Sequence, residues 1–549
     1  MFCKKSHIIN TIYAMNKKKL FFFFLLSAIL ISCSPSNDFN VRRFGAKGVK
    51  SHLATKNIQK AIDACHKAGG GWVYFPPGEY LSGTLLLKDN VTLYIEAGAT
   101  LYASHDTNDY KTTFKVYKKN DSGKKGKGET PVFIYAIGAK NIGIMGKGTI
   151  NGQALRTYED LKEIDGFIRQ ETENARKAGV EMKMYYKVPP YTCMIFLEKC
   201  YNVKIRDVSL IESTDWTLHF KWSENIFVDN IYLSSSLEKG VNADGIDVDG
   251  CKNVVITNSI IETGDDAIVL KTTQTDTIAL PCENITVSNC VLVSTSTALK
   301  LGTESFADFR HITFSNCVVR NSNRGLSIVV RDGAVVENVL FSDITIECNR
   351  KHFNWWGNGD PIWVVLLKRS EDSKIGRIRN IAFRNIIAHG QGTSKIEGFP
   401  GVPLENIFLS NIRFFMNKEE YPDKRAVHAF EAHDVNNLSM SDMEFFWNEK
   451  DTEPAWQSAC YIYNIKGVRL DKLSLAPAPG TRVPAIRIKN VSDAIIEHCK
   501  AKEGTTILVS VEGEKSNTVI FNDNYLSAGQ SLFIAGREVL ANSIKHIGR

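Results

Sequence analysis

No Cys-x-x-Cys pair occurs among the 12 cysteines, which argues against zinc. No basic tract survives outside the leader. Residues 1–32 carry Lys4, Lys5, Lys17, Lys18 and Lys19 and no acidic residue, so discounting these five lysines takes the net charge from +7 to +2. Nucleic acid is therefore not an expected partner. No apolar run is long enough for a comfortable membrane span. Between the β-rich segments there is no recurring amphipathic helix, which excludes alternating strand–helix units. What is present is ordinary in bulk: 43% hydrophobic and 23% charged residues allow a large core.

The apolar run LFFFFLLSAILIS follows Lys17–Lys19 and ends at Cys33. This pattern reads as an export leader. Leu30-Ile31-Ser32-Cys33 resembles a bacterial lipobox, with Cys33 the lipidated first residue and 33–39 a tether. Met15 is an alternative start. The other ten cysteines are expected as small buried side chains, since Cys290 and Cys317 share a Ser-Asn-Cys context.

One phrase recurs along the chain: Asn, then alternating apolar positions, then a small polar residue. It begins at Asn141 (KNIGIMGKGTI) and returns at Asn202, Asn225, Asn253, Asn284, His311, Asn338, Asn380, Asn406 and Asn437. From Asn202 onward the spacings are 23, 28, 31, 27, 27, 42, 26 and 31 residues. Alternation at this spacing predicts a single-stranded, right-handed parallel β-helix, an all-β solenoid in which equivalent residues stack about 4.8 Å apart. The recurring Asn is expected at a turn, bonded to backbone groups of the next coil. The segment TKNIQKAIDACHKAGGG predicts an amphipathic helix ended by Gly69–Gly71 that caps the open end of the stack. Residues 40–549 are expected to form one domain. Two insertions interrupt it: a Lys-rich mobile loop at about 104–131, and a helix within 154–186, read from YEDLKEIDGFIRQETENARKAG.

Two acidic phrases stand one repeat apart. NADGIDVDG holds Asn242, Asp244 and Asp247; ETGDDAIVLK holds Asp265, Asp266 and Lys271. Asp244 and Asp265 are 21 residues apart, so stacking gathers three carboxylates on one face. Such crowding disfavours stability and raises at least one pKa, as an acid catalyst requires. Asp-Gly turns or a calcium repeat are the bland alternatives, but the pattern does not recur down the chain. Asp247 and Asp249 are more often structural by type.

With FGAKG, PPGEYLSGTLLLKDNVTLYIEAGATL, ESTDWTLHF (Trp216, His219), NADGID and TGDDAIVLK, the sequence resembles glycoside hydrolase family 28, the polygalacturonase-like enzymes. The resemblance implies a parallel β-helix and inverting hydrolysis of pectic polysaccharide. It makes Asp265 the general acid, with Asp244 and Asp266 holding the attacking water. Inversion calls for carboxyls about 6.5–9.5 Å apart, which adjacent coils supply. Two family features are missing. Gly302-Thr303-Glu304 replaces a Gly-His-Gly, and Ser327-Ile328-Val329 replaces an Arg-Ile-Lys that grips a galacturonate carboxylate. Glu304 is a candidate for the histidine's role or for bonding substrate hydroxyls. Arg324 and Arg331 are candidates for a carboxylate fork. Losing the Arg-Ile-Lys shifts weight toward a mixed backbone, such as rhamnogalacturonan, or toward a side-chain linkage. Trp355 and Trp356, in the longest spacing, are candidates for sugar stacking, Trp356 foremost. Asn242, Asp247 and Lys271 complete the expected substrate-binding set.

A lyase on the same solenoid and a non-catalytic polysaccharide-binding β-helix are the competing readings. The acidic triad without an evident basic catalyst disfavours the lyase. No metal or cofactor is expected, because two carboxylates and water suffice. The expected partner is a pectic chain. The expected setting is the bacterial envelope, as a monomer that meets the membrane only through its lipid.

Overall fold

The computed structural model describes residues 39–110, 113–119, 125–160, 172–173, 175–181, 185–190, 192–351 and 357–547. Strand follows strand, and each pairs in parallel with the strand one repeat later. One column shows the logic. Ile142, Val203, Ile226, Val254, Ile285, Ile312, Val339, Ile381, Ile407 and Leu438 are successive partners in register. All are buried. Alternation thus becomes one apolar ladder per inward position, and the fold is a parallel β-helix. Phe314, Phe341 and Phe383 stack the same way, with ring centroids 4.9 and 5.0 Å apart.

The helix Thr55–Lys67 buries Ile58, Ala61, Ile62 and Cys65, the inward stripe of its 3.6-residue period. Its Gln59 closes the exposed sheet edge: Leu86 N–H donates to Gln59 Oε1 at 2.9 Å, and Gln59 Nε2 donates to Leu86 O at 3.1 Å. That is edge protection by a covering element.

The repeated Asn residues are not bonded to backbone as expected. They sit in the left-handed region, with φ between 55° and 59° from Asn141 to Asn284, and their amides bond to one another. Asn202 donates to Asn141 (2.7 Å), Asn284 to Asn253 (3.0 Å), Asn406 to Asn380 (2.9 Å) and Asn437 to Asn406 (3.0 Å). In-register stacking brings like amides together, and each acts as donor below and acceptor above.

Of the Lys-rich segment, the described residues are strands rather than loop: Thr113–Lys119 pairs antiparallel with Lys125–Thr130 and Pro131, and 111–112 and 120–124 lie outside the described residues. The predicted helix starts later than expected: Tyr158–Asp160 forms an antiparallel ribbon with Tyr185–Lys187, while residues 172–173 and 175–177 are helical. Residues 161–171 and 174 of that segment lie outside the described residues, as do the leader, Cys33, Trp355 and Trp356. The ten described cysteines are all buried.

Candidate active site

Six consecutive rungs build the candidate site: Leu218–Lys221, Ile246–Asp249, Ile268–Thr272, Thr297–Ser305, Arg324–Val330 and Asp360–Leu366. His219, Asp247, Val269, Lys300, Ser327 and Trp363 are register partners along them. Leu218 pairs with Ile246 and Ile246 with Ile268. Counting back two residues stacks Trp216, Asp244 and Asp266. The rung equivalents are therefore Asp244 and Asp266, and Asp265 sits one residue earlier. The three carboxylates are gathered, all buried: Asp244 and Asp266 are 2% exposed and Asp265 6%.

Each carboxylate has different partners. Asp244 Oδ2 lies 2.7 Å from Lys271 Nζ. Asp266 Oδ2 lies 2.6 Å from Lys300 Nζ, while its Oδ1 accepts from Ser296 Oγ (2.8 Å) and Thr297 N (3.1 Å). Asp265 has no ion pair among the described residues; it accepts the backbone N–H groups of Asn242 (3.0 Å) and Asp266 (2.9 Å). Burial, then the charges of Asp244 and Asp266, outweigh these donors and the two lysines, and push the Asp265 carboxyl up to about 8. It is a protonated acid at neutral pH. Burial also raises the Asp244 carboxyl, against the pull of Lys271.

Trp216 braces this arrangement. Lys271 Nζ lies 3.7 Å from the centre of its ring face, a desolvated cation–π contact. His219 packs edge-on to Trp216 at 4.8 Å and meets Asp249 Oδ2 at 3.2 Å. Asp249 also accepts from Thr273 N at 2.7 Å, which ties it to the base of the site. Tyr158 Oη donates to Ser213 O at 3.3 Å, so the 154–190 insertion roots beside Asp215 and Trp216.

Several expected substrate contacts sit elsewhere. Asp247 is fully buried, with Lys271 Nζ 2.8 Å away, so it does not line the groove. It is a second carboxyl beside that lysine, and burial raises it well above the ordinary range. Lys271 is 4% exposed and committed to Asp244 and Asp247, an internal counter-ion rather than a substrate contact. Asn242 meets Asp265 through its backbone. Arg324 is no open fork: its Nε lies 3.1 Å from Asp360 Oδ2, and its guanidinium lies 3.7 Å from the Trp363 ring centre. Arg331 joins the next rungs by backbone, donating its N–H to Ser305 Oγ (2.8 Å) and accepting from Arg369 N (3.1 Å). Glu304 stands beside the cluster, 3.7 Å from Arg369 Nη2.

Reading the sequence alone missed Lys300, Ser296, Thr297 and Arg369. The signal for Lys300 was register: aligning DDAIVLK on STALKLG puts its outward side chain one rung past Val269. Arg369 carried no local signal, since it arrives from a turn two rungs on.

Residues 91–351 match the model of glycosyl hydrolases family 28, and that span contains Asp244, Asp265 and Asp266. The exo-poly-alpha-D-galacturonosidase of Dickeya chrysanthemi is 30% identical over 250 residues, 42% of this chain and 41% of that protein. The endo-polygalacturonase of Pectobacterium parmentieri is 32% identical over 224 residues, 40% of this chain and 52% of that protein. The chain thus spans about half the length of the curated relatives it matches. Among solved structures, the family 28 exopolygalacturonase of Yersinia enterocolitica superposes with a TM-score of 0.59 at 19% identity, covering 79% of this chain and 78% of that one. The Thermotoga maritima exopolygalacturonase gives 0.56 at 23% identity, covering 70% and 88%. These likenesses concern the fold.

Proposed function

We propose that this chain is an inverting glycoside hydrolase that cuts pectic polysaccharide or oligosaccharide, at rhamnogalacturonan or galacturonide linkages. One observation carries the reading: a buried carboxyl, Asp265, with no ion pair among the described residues, stands beside two carboxyls that are each paired to a lysine. That is the split of environments that acid–base hydrolysis needs. The family 28 match over residues 91–351 supports it.

In the proposed reaction Asp265 gives its proton to the glycosidic oxygen as the C–O bond breaks. Water held by Asp244 and Asp266 attacks the anomeric carbon from the opposite face and loses a proton to one of them. The new C–O bond has inverted configuration, and the proton balance closes when the acid is recharged from solvent. Lys271 and Lys300 pair with the water-binding carboxylates. They also occupy the oxygens a metal ion would need, so turnover is expected to persist in chelator.

Proton NMR of the first product on a panel of pectic oligosaccharides tests this. An inverted anomer is expected, with a drop of about 10²–10⁴-fold in kcat for Asp265→Asn. A product absorbing in the ultraviolet through a new double bond marks a lyase, and undiminished turnover in Asp265→Asn removes the role given to that residue. We also propose export and anchoring through a lipid on Cys33, as a monomer of the bacterial envelope. Detergent-independent solubility of the full chain expressed in a bacterium would refute the anchor.

A further inference from the structure

Where the site strands leave register, a carboxylate is pushed out into the groove. Leu270 pairs with Leu301, and the next partners are Thr272 and Ser305. One residue, Lys271, thus faces three: Gly302, Thr303 and Glu304. This is a bulge, and it is built for its place. Gly302 has φ 93°, and a Cβ there would lie 2.0 Å from Val329 O, so no other residue fits. Arg369 locks the outer side: it donates to Thr303 O at 2.9 Å and forks onto Asp332 with Nε–Oδ1 2.7 Å and Nη2–Oδ2 2.9 Å. Asp332 in turn accepts Ser305 N at 3.0 Å.

The result is a fixed and open Glu304. Its side chain is 31% exposed, against 3% for those of Asp244 and Asp266. Of the acidic groups around Lys271, it is the most exposed. The cations that act on it are Lys271, Arg369 and Lys300. Lys271 is committed to Asp244 and Asp247 and Lys300 to Asp266, while Arg369, forked onto Asp332, also lies 3.7 Å from Glu304 Oε1. Burial raises the Glu304 carboxyl, but the three cations together outweigh it and hold it at about 2. It is ionised at any working pH.

We propose that Glu304 is a specificity-determining residue that selects a neutral sugar, through its hydroxyls, at the ring lying against the bulge, and excludes a uronate there. An ionised carboxylate accepts strong hydrogen bonds from hydroxyl donors and repels a second carboxylate brought into a desolvated groove. The polymer class this selects alternates neutral and acidic sugars, and an unbroken polyuronate is disfavoured. This rests on the hydrolase reading above.

The test compares wild type with Glu304→Gln on two sets of oligosaccharides, one of alternating rhamnose and galacturonate, the other of galacturonate alone. Wild type is expected to cut the alternating set preferentially. Mass spectrometry of the ends should place the neutral ring on the same side of every cut, a readout that needs no variant. Glu304→Gln is expected to lose about 10- to 100-fold in kcat/KM on the alternating set, mostly through KM, and to gain on polygalacturonate. Equal or better wild-type cleavage of polygalacturonate, or equal losses on both sets in the variant, overturns the role of Glu304. Absence of hydrolysis of either set by wild type overturns instead the reading on which it rests.

Discussion

Lys300 offers the sharpest test of how the site divides its protons. Its Nζ lies 2.6 Å from Asp266 Oδ2 with only 14% of the side chain exposed, and its charge also lowers the Asp265 carboxyl. Lys300→Met keeps the bulk and removes the charge. An opposite charge at this range shifts a carboxyl by ~1–3 pKa units. In wild type, kcat/KM should fall as pH rises through about 8, because Asp265 acts only while protonated. In Lys300→Met that alkaline limb should rise by about one unit, since Lys300 is one residue removed from Asp265. The upper edge of the optimum therefore moves to higher pH. The assay is a pH series of kcat/KM with melting temperature measured in parallel, and Lys300→Arg as the charge-retaining control. A folded Lys300→Met whose alkaline limb stays in place, with only the amplitude reduced, refutes the assignment.

Two further outcomes follow from the same contacts. The raised Asp265 carboxyl favours the fold fully below its unfolded value of 3.8, and that contribution is lost as pH rises through about 8. Asp265→Asn, neutral at every pH, should therefore melt higher than wild type at pH 9 and show the smaller gap at pH 5; an equal gap at both pH values counts against a buried acid. Asn406, which donates to Asn380 and accepts from Asn437 at φ 56°, should cost about 1–2 kcal/mol as Ala and less as Gly. Chemical denaturation measures both, and equal costs would show that the amide ladder, not the left-handed backbone, governs the position.

The sequence carried the architecture because a solenoid writes its register into its spacing. Asn202, Asn225 and Asn253 head strands that pair in the order and phase the repeats imply. The same rule brought Asp244, Asp265 and Asp266 together. What stayed hidden were contacts made across rungs by long side chains. Lys271 and Asp247 read as substrate ligands, since nothing in a linear motif shows that one buries itself against the other. Arg324 read as a carboxylate fork, but Asp360 and Trp363 arrive from the next rung, beyond the insertion that makes the longest spacing. In the two insertions, alternation within KVYKK and GKGET was masked by charge, and Tyr158–Asp160 reads as helix by composition while pairing as a ribbon, though residues 172–173 and 175–177 of the same segment are helical.

The charge pattern explains why the site belongs on this fold. Three buried carboxylates without counter-ions would not remain ionised, and on a flexible loop they would move apart. Here they are fixed by two adjacent rungs, and the spacing between rungs is set by backbone hydrogen bonds rather than by the charges themselves. Lys271 and Lys300 leave the same sheet one and two rungs along, so each counter-ion is as rigid as the group it serves. That leaves Asp265 as the carboxyl with no cation of its own, and burial then decides its state. The one break in the ladder, at Gly302–Glu304, falls beside Lys271, where a strictly regular strand would present alternate side chains at fixed intervals. The departure from register puts an extra carboxylate where the regular stack has no position for one, so the chemistry is held by the repeat and the choice of sugar by its interruption.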